Sequence, residues 1–300
     1  MRLDQQPSTP WVESDQVEAY LDAVGADAAQ RRFVTDLHRD GVAVIDLGPE
    51  GRALCDEVTA QTARFFTLGV RRVQDAWRRS PAARALSNLP VIDNMLTLAY
   101  GRRPFAFQTL NFVIGSEQSA HADAVHFHCE PQRFMCGVWF ALEDVAADAG
   151  PLFYHLGSHK RPVLGMREAG VVGRAPEDQD YETFYVPAFA RTLAVPRTLA
   201  MLKKGQALVW TANVAHGGSR IVRQGATRRS MVTHYYFENC LYYTPMRSEP
   251  ERGRYDLRLP ANLKTGLWVW PRREGRRAPL PLRTVKSALM QAVRRSVHIT

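Results

Sequence analysis

The ten-residue stretch HADAVHFHCE, which begins at position 121, is dense in groups that bind metal ions. It contains His121, Asp123, His126, His128 and Glu130, in a chain that has nine histidines altogether. Side chains at i and i+2 of a β-strand point to the same side. Three pairs could therefore reach one ion: 121 with 123, 126 with 128, and 128 with 130. In a regular strand, the first pair faces away from the other two.

A complete site needs further groups from elsewhere in the chain. Two histidines and one carboxylate leave open positions on iron, where O2 and a co-substrate can bind. The best distant donor is His216 in WTANVAHGGS, at the end of an apolar segment. Downstream, Arg228 and Arg229 begin another candidate strand. An arginine can hold a carboxylate through two parallel hydrogen bonds.

Five short segments, rich in aromatic and β-branched residues, are separated by glycine and proline. They are FAFQTLNFVI, FMCGVWFAL, GPLFYHLGS, QALVWTANV and RSMVTHYYFEN. Such spacing predicts a β-sandwich or barrel. Upstream, the patterns predict helices over 12–39, 51–66 and 86–100 and a strand over 40–47. We therefore expect a mainly β protein with flanking helices. It should form one domain over 1–300, with a helical layer (1–104), a β-core (105–245) that contains a lid-like insertion (160–197), and a basic extension (246–300).

The order of these blocks resembles the phytanoyl-CoA dioxygenase family. His-x-Asp is followed by FMCGVWFALEDVAADAGPLFYHLGSHK, then WTANVAHGGS, then the basic strand start, over about 105 to 240. The family consists of iron(II)- and 2-oxoglutarate-dependent oxygenases on a double-stranded β-helix, the jelly roll or cupin-like fold. Family members usually have NGPL and PGSHK where this chain has AGPL and LGSHK.

The resemblance also implies roles for individual residues. Iron(II) would bind His121, Asp123 and His216, and 2-oxoglutarate would pair with Arg228, for which Arg229 is the alternative. Further co-substrate contacts would come from Asn111 and, because Gly218 lacks the family's usual polar side chain, from Ser219. The remaining residues of the opening stretch become substrate-side candidates: His126, His128 and Glu130.

The implied reaction is hydroxylation of an unactivated C–H bond by O2, with release of succinate and CO2. Asp123 favours this outcome over halogenation, since related halogenases have a small residue in place of the acid. Desaturation, cyclisation and epimerisation remain alternatives from the same start. So do a cupin-like metal- or ligand-binding protein and a zinc hydrolase. The substrate class stays open between specialised metabolites, sugars or envelope glycans, and acyl compounds.

Charge and composition narrow the partners and the compartment. The net charge is +9, with eight basic residues and one acid between Arg272 and Arg295. This favours an anionic substrate, whereas nucleic acid is disfavoured because no reader module accompanies the charge. A predicted helix over 283–297 could pack on the domain or contact a membrane surface through the residues of one face: Val285, Ala288, Leu289, Ala292, Val293 and Val297. The sequence has no apolar run of about 18 residues, no signal core and no CxxC pair, which predicts a cytoplasmic protein without a transmembrane segment.

Overall fold

Six antiparallel strands form the main sheet of the computed structural model, which describes residues 6–297 and their side chains as far as residue 290. The strand order is β1-β8-β5-β10-β3-β2. These strands are β1 (Val42–Asp46), β2 (Arg72–Gln74), β3 (Pro104–Phe112), β5 (Met135–Ala141), β8 (Gln206–Thr211) and β10 (Ser230–Phe237). The predicted strand over 40–47 is β1, at one edge.

A smaller sheet faces the main one and completes the jelly-roll core. It has the order β7-β6-β9, and two strand pairs lie beside it, β11-β4 and β12-β13. Their bounds are β4 (His128–Glu130), β6 (Leu152–Tyr154), β7 (Thr198–Leu199), β9 (His216–Gly218), β11 (Leu241–Tyr243), β12 (Arg272–Arg273) and β13 (Arg276–Arg277). The predicted fold class is confirmed, although strands make up only about one fifth of the chain.

Helices flank the β-core, and the first five of them pack on the outer face of the main sheet. Their bounds are α1 (Val17–Ala23), α2 (Ala28–Asp40), α3 (Gly48–Thr62), α4 (Pro81–Leu86), α5 (Pro90–Tyr100), α6 (Val186–Arg191) and α7 (Leu282–Val297). Along β5 the side chains alternate: Val138 and Phe140 join the core beneath the helices, while Trp139 joins the core between the sheets. The strand period of two thus gives the main sheet one face for the helices and one for the site.

The predicted first helix is two helices, because Asp27 starts a new one. The Asp27 side chain accepts hydrogen bonds from two backbone N–H groups of α2, and Gln30 bonds back to the Asp27 N–H. This capping box satisfies donors that a helix start leaves unpaired. Gly41 ends α2 with φ +79°, and its missing side chain leaves room for the His159 ring.

The insertion over 160–197 packs beside the metal-ligand stretch. It contains a π-helical turn, Tyr181–Tyr185, that runs into α6. Tyr185 and Phe189 stack at 5.4 Å and share a buried cluster with Val125 and Ala215. The insertion therefore covers the end of the β-core that carries the candidate ligands.

The last helix, α7, confirms the predicted element but only part of the predicted apolar face. Ala288 is buried, Val285 is half-buried and Leu289 is 53% exposed. The other predicted members of this face, Ala292, Val293 and Val297, lie outside the described side chains. Within the described residues, no helix combines the length and the apolar character needed to cross a membrane.

Candidate metal centre and co-substrate cavity

A pair of backbone hydrogen bonds brings the two candidate histidine ligands together. The His121 and His216 main chains exchange N–H···O bonds of 2.9 Å in an isolated β-bridge. Asp123 begins a 3-10 turn two residues after His121. One ligand atom of each of these three buried residues lies within 4.8 Å of those of the other two. The structure thus gathers the three predicted ligands, and they could hold one metal ion.

Both histidines present the same nitrogen to this point. His121 Nδ1 lies 2.9 Å from the Ser119 carbonyl oxygen, and His216 Nδ1 lies 3.0 Å from that of Val214. A carbonyl oxygen can only accept, so each Nδ1 carries the hydrogen and each Nε2 keeps its lone pair. The two Nε2 atoms lie 3.9 and 3.8 Å from Asp123 Oδ1. This arrangement fits a divalent cation at the common centre.

The charge states also suit a cation. Burial, followed by the neighbouring His216, lowers the pKa of His121 to about 3, so its imidazole is neutral and can act as a ligand. Burial alone would raise the pKa of Asp123, but His216 and His234 outweigh it and hold the carboxyl below its usual range. His121 therefore offers a neutral nitrogen, and Asp123 offers a carboxylate.

The second oxygen of Asp123 is held by the protein. The Trp210 indole N–H donates to Asp123 Oδ2 at 2.8 Å, and His234 Nε2 lies 3.5 Å from the same oxygen. Oδ1 is left to face the histidines. Trp210 reaches this position because residue 137 across the sheet is a glycine: a Cβ there would overlap the indole ring. A buried tryptophan usually places its N–H against an acceptor, which is the signal that sequence reasoning overlooked for Trp210.

Arg228 lies across the same cavity, which has a volume of about 400 Å³. Its side chain is buried, packs 5.3 Å from the Trp139 ring, and leaves Nε without a hydrogen-bond partner. Within residues 6–290 no carboxylate comes within ion-pair distance of it. Burial lowers the pKa of Arg228 to about 10, so the guanidinium stays charged at neutral pH. A buried, unpaired cation of this kind suits a carboxylate ligand.

The alternative arginine has another partner. Arg229 forms an ion pair of 3.0 Å with Glu143 and is partly exposed. Of the two arginines predicted from the sequence, Arg228 is therefore the one whose geometry suits a carboxylate of the co-substrate.

Two predicted co-substrate contacts do not reach the cavity. Asn111 lies opposite Met231 of the neighbouring strand β10, and both side chains point to the helix-covered face of the sheet. The neighbours of Asn111 in β3, Leu110 and Phe112, line the cavity. Ser219 follows Gly218 and also lies outside the cavity wall. Asn111 is turned away from the cavity because adjacent strand residues face opposite sides, whereas Ser219 lies just beyond the end of β9.

Another hydroxyl stands where the family's polar side chain would be. A Cβ built on Gly218 would overlap Ser116 Oγ, and both residues line the cavity. Gln118 lies beside them, with its amide nitrogen 3.3 Å from His121 Nε2. Ser116 and Gln118 come from the loop between β3 and the ligand stretch, and sequence spacing gave no sign of either.

The opening stretch is divided by a turn and is not one strand. The 3-10 turn Asp123–Val125 breaks the alternation, so the parity expected for a regular strand does not apply. His126 lines the cavity, with its ring 4.8 Å from that of Tyr181 in the insertion. His128 instead faces a separate cavity, and Glu130 pairs with Arg273 at 3.0 Å. Of the three substrate-side candidates, the structure brings only His126 to the metal cavity.

Comparison with known families agrees with this geometry. The model of the family described as phytanoyl-CoA dioxygenase matches residues 10–230, which is most of the chain and includes all three candidate ligands. The chain belongs to the phytanoyl-CoA dioxygenase family. Among curated relatives, the mouse (Mus musculus) phytanoyl-CoA dioxygenase domain-containing protein 1 is 29% identical over 123 residues, which is 39% of this chain and 40% of that protein.

Solved structures show the same fold in other members of this oxygenase class. The epimerase SnoN, solved in complex with Fe3+, alpha ketoglutarate and nogalamycin RO, is 22% identical with a TM-score of 0.55, over 78% of this chain and 95% of its own. The carbocyclase SnoK from nogalamycin biosynthesis is 16% identical with a TM-score of 0.55, over 77% and 92%. EctD from S. alaskensis is 16% identical with a TM-score of 0.53, over 70% and 77%. At these identities the likeness establishes the fold.

Proposed function

We propose that this member of the phytanoyl-CoA dioxygenase family is an iron(II)- and 2-oxoglutarate-dependent oxygenase that hydroxylates an unactivated C–H bond of a small molecule. One observation carries the proposal: His121, Asp123 and His216 converge at one point of a cavity whose wall also holds the unpaired, buried Arg228. A metal-only or hydrolytic site has no need of this buried cation. SnoN, which shares the fold, was crystallised with iron and alpha ketoglutarate.

Each residue has a definite task in this proposal. Iron(II) and 2-oxoglutarate, when bound, supply the oxidation of a C–H bond by O2, with release of succinate and CO2. His121 and His216 give neutral nitrogen ligands, and Asp123 gives one charged oxygen. Arg228 pairs with the far carboxylate of 2-oxoglutarate and fixes its orientation.

Nearby side chains keep the cavity ordered and partly dry. Leu110, Phe112, Val232 and Leu152 line it between the two sheets and exclude water around the reacting groups. His126 is the remaining substrate-side candidate. Burial lowers its pKa to about 4, so it faces the substrate as a neutral hydrogen-bonding ring.

The outcome at the substrate carbon is the open part of the reaction. SnoN is described as an epimerase and SnoK as a carbocyclase, so the fold is compatible with several outcomes. Hydroxylation is our proposal, with epimerisation, cyclisation and desaturation as alternatives, because the position of the substrate decides which bond forms. The carboxylate of Asp123 argues against halogenation.

A turnover assay with matched variants tests the proposal. Purified protein is loaded with iron(II), and succinate formed from 2-oxoglutarate and O2 is measured. Asp123→Ala should abolish succinate formation, whereas His128→Ala, which removes an equally buried imidazole outside the cavity, should retain it. Loss of the metal in His128→Ala and its retention in Asp123→Ala would overturn the ligand assignment.

The cellular setting is also a proposal. All four cysteines are free and buried, which supports the cytoplasmic location expected from their spacing. The single-domain organisation over 1–300 is supported by one core that holds side chains from both the N-terminal helices and the main sheet.

A further inference from the structure

A second cavity of about 250 Å³ shares a wall with the metal cavity. The residues that line both cavities are Gln108, Thr244, Arg247 and Arg258. The rest of its wall comes from residues 256–261, from Trp77 and Trp268, and from the first turns of α7. We name it the arginine chamber, after the four arginines that reach it from separate segments: Arg78, Arg247, Arg258 and Arg283.

Two of these arginines have no carboxylate partner in the described part of the chain. Arg258 packs 4.8 Å from the Phe127 ring and donates to Thr244 Oγ1 at 3.1 Å, which leaves its buried Nε without a partner. Arg283 projects from the first turn of α7. A cation held by a ring and a hydroxyl is placed without being neutralised, so it remains available to an anion.

The remaining charges on the wall do not cancel these two. Arg247 forms paired hydrogen bonds of 2.8 Å with Asp178 from the insertion. Arg78 also lines the chamber and packs over Trp77 at 4.6 Å. Within the described residues, Asp256 is the one acid on the wall. The chamber therefore has an excess of positive charge.

The start of α7 adds to this positive character. Thr284 and Ser287 line the chamber with Arg283, and the first turn of this 16-residue helix contains no acidic residue. The unpaired N–H groups at a helix start attract anions. This contribution comes from the backbone and is independent of the arginine side chains.

We propose that the arginine chamber binds a phosphate group of the substrate, at the end remote from the oxidised carbon. The inference rests on the proposed function and specifies the substrate class for that site. The guanidinium groups of Arg258 and Arg283, which approach from separate segments, match a tetrahedral dianion, which accepts hydrogen bonds in several directions. A carboxylate offers two oxygens in a single plane. The shared wall lets one elongated molecule occupy both cavities.

Binding of inorganic phosphate tests the inference. Titration calorimetry is run without oxygen, on protein loaded with iron(II) and 2-oxoglutarate, at constant ionic strength. Phosphate should bind the wild-type protein, and Arg283→Gln should weaken it about tenfold or more, since a charge-assisted hydrogen bond is lost. Lys286→Gln is the matched control, because Lys286 is an exposed cation on the same helix outside the chamber wall. It should bind phosphate as the wild type does.

Three results would overturn the inference. They are no phosphate binding, equal weakening in both variants, and acetate binding as tight as phosphate. The colour of the iron–2-oxoglutarate complex, recorded in the same samples, separates this inference from the proposed function. Colour without phosphate binding refutes the chamber alone, whereas phosphate binding without colour refutes the oxygenase proposal and with it the substrate assignment.

Discussion

Trp210→Phe should weaken iron(II) binding without removing any metal ligand. The variant keeps an aromatic ring and loses the indole N–H that donates to Asp123 Oδ2 at 2.8 Å. Both side chains are buried, Trp210 at 1% and Asp123 at 4% exposure, so water cannot replace the lost donor. A hydrogen bond to a buried charge contributes about 1.5 to 3 kcal/mol. If the whole of that contribution is lost from the bound state, affinity falls roughly 10- to 150-fold; loss of an outer partner of a metal ligand typically costs about 10- to 100-fold.

The Asp123 carboxylate keeps a second partner in Trp210→Phe, so the fall in iron(II) affinity should lie toward the lower end of this range. His234 Nε2 lies 3.5 Å from the same oxygen and retains part of the orientation. We therefore expect about tenfold weaker iron(II) binding. The assay is an oxygen-free competition titration against a chelator of known affinity, without 2-oxoglutarate.

Trp139→Phe is the matched control for this prediction. Trp139 is also fully buried in the same cavity wall, but its indole N–H has no hydrogen-bond partner in the described part of the chain. Both variants remove the same atoms and leave a similar void, so Trp139→Phe reports the effect of the void alone, and Trp210→Phe should lose at least as much free energy of unfolding because it also removes a hydrogen bond. Only Trp210→Phe should lose iron affinity. Equal iron binding by the two variants would refute the role given to Trp210.

Three further predictions follow from the same geometry. Gly137→Ala should displace the Trp210 ring, destabilise the fold by about 1 to 3 kcal/mol and weaken iron binding; unchanged iron affinity in a chelator titration would contradict the contact between them. Arg228→Gln should weaken 2-oxoglutarate binding at least about thirtyfold, since an unpaired buried charge costs about 2 to 5 kcal/mol, whereas Arg229→Gln, whose charge is paired with Glu143, should leave calorimetric binding unchanged. Burial lowers the pKa of His128 and of His159 to about 4. Below pH 6.5 these histidines therefore become protonated in the unfolded chain but stay neutral in the folded protein. The contribution of each histidine to the free energy of unfolding is therefore fully present above pH 6.5 and falls as the pH decreases toward 4, by about 2 kcal/mol per histidine at pH 5. In urea unfolding of the metal-free protein, the free energy of unfolding of His128→Phe should fall less between pH 7 and pH 5 than that of the wild type, by that amount. An identical fall in both proteins would contradict the assignment.

The order of the sequence blocks was enough to predict the site residues that the family pattern places on strands. His121, Asp123, His216 and Arg228 were each proposed from the sequence, and the structure brings them to one cavity. A β-core and most of the flanking helices were also predicted from periodicities and turn residues, which are local signals, whereas the jelly-roll arrangement was implied by the resemblance.

The sequence was least informative where tertiary contacts set the orientation of a side chain. Asn111 was assigned by its position on the right strand, but strand parity turns it to the helix-covered face. His128 and Glu130 looked equivalent to His126, but His126 caps the end of the 3-10 turn Asp123–Val125, whereas His128 and Glu130 lie on β4. The contact of Trp210 with Gly137 and Asp123 depends on cross-strand register, and the arginine chamber depends on α7 folding back against residues 256–261. Neither has a local signature in the sequence.

The central claim, that one cavity holds both the metal and 2-oxoglutarate, has a direct spectroscopic test. Oxygen-free protein is mixed with iron(II), and 2-oxoglutarate is then added while the visible absorption spectrum is recorded. If one cavity holds both, a charge-transfer band should appear only with both components, and it should be lost in His121→Ala and greatly weakened in Arg228→Gln. Absence of the band in the wild-type protein, together with tight zinc binding and no binding of 2-oxoglutarate, would contradict a shared cavity and favour a zinc hydrolase or a metal-binding cupin-like protein.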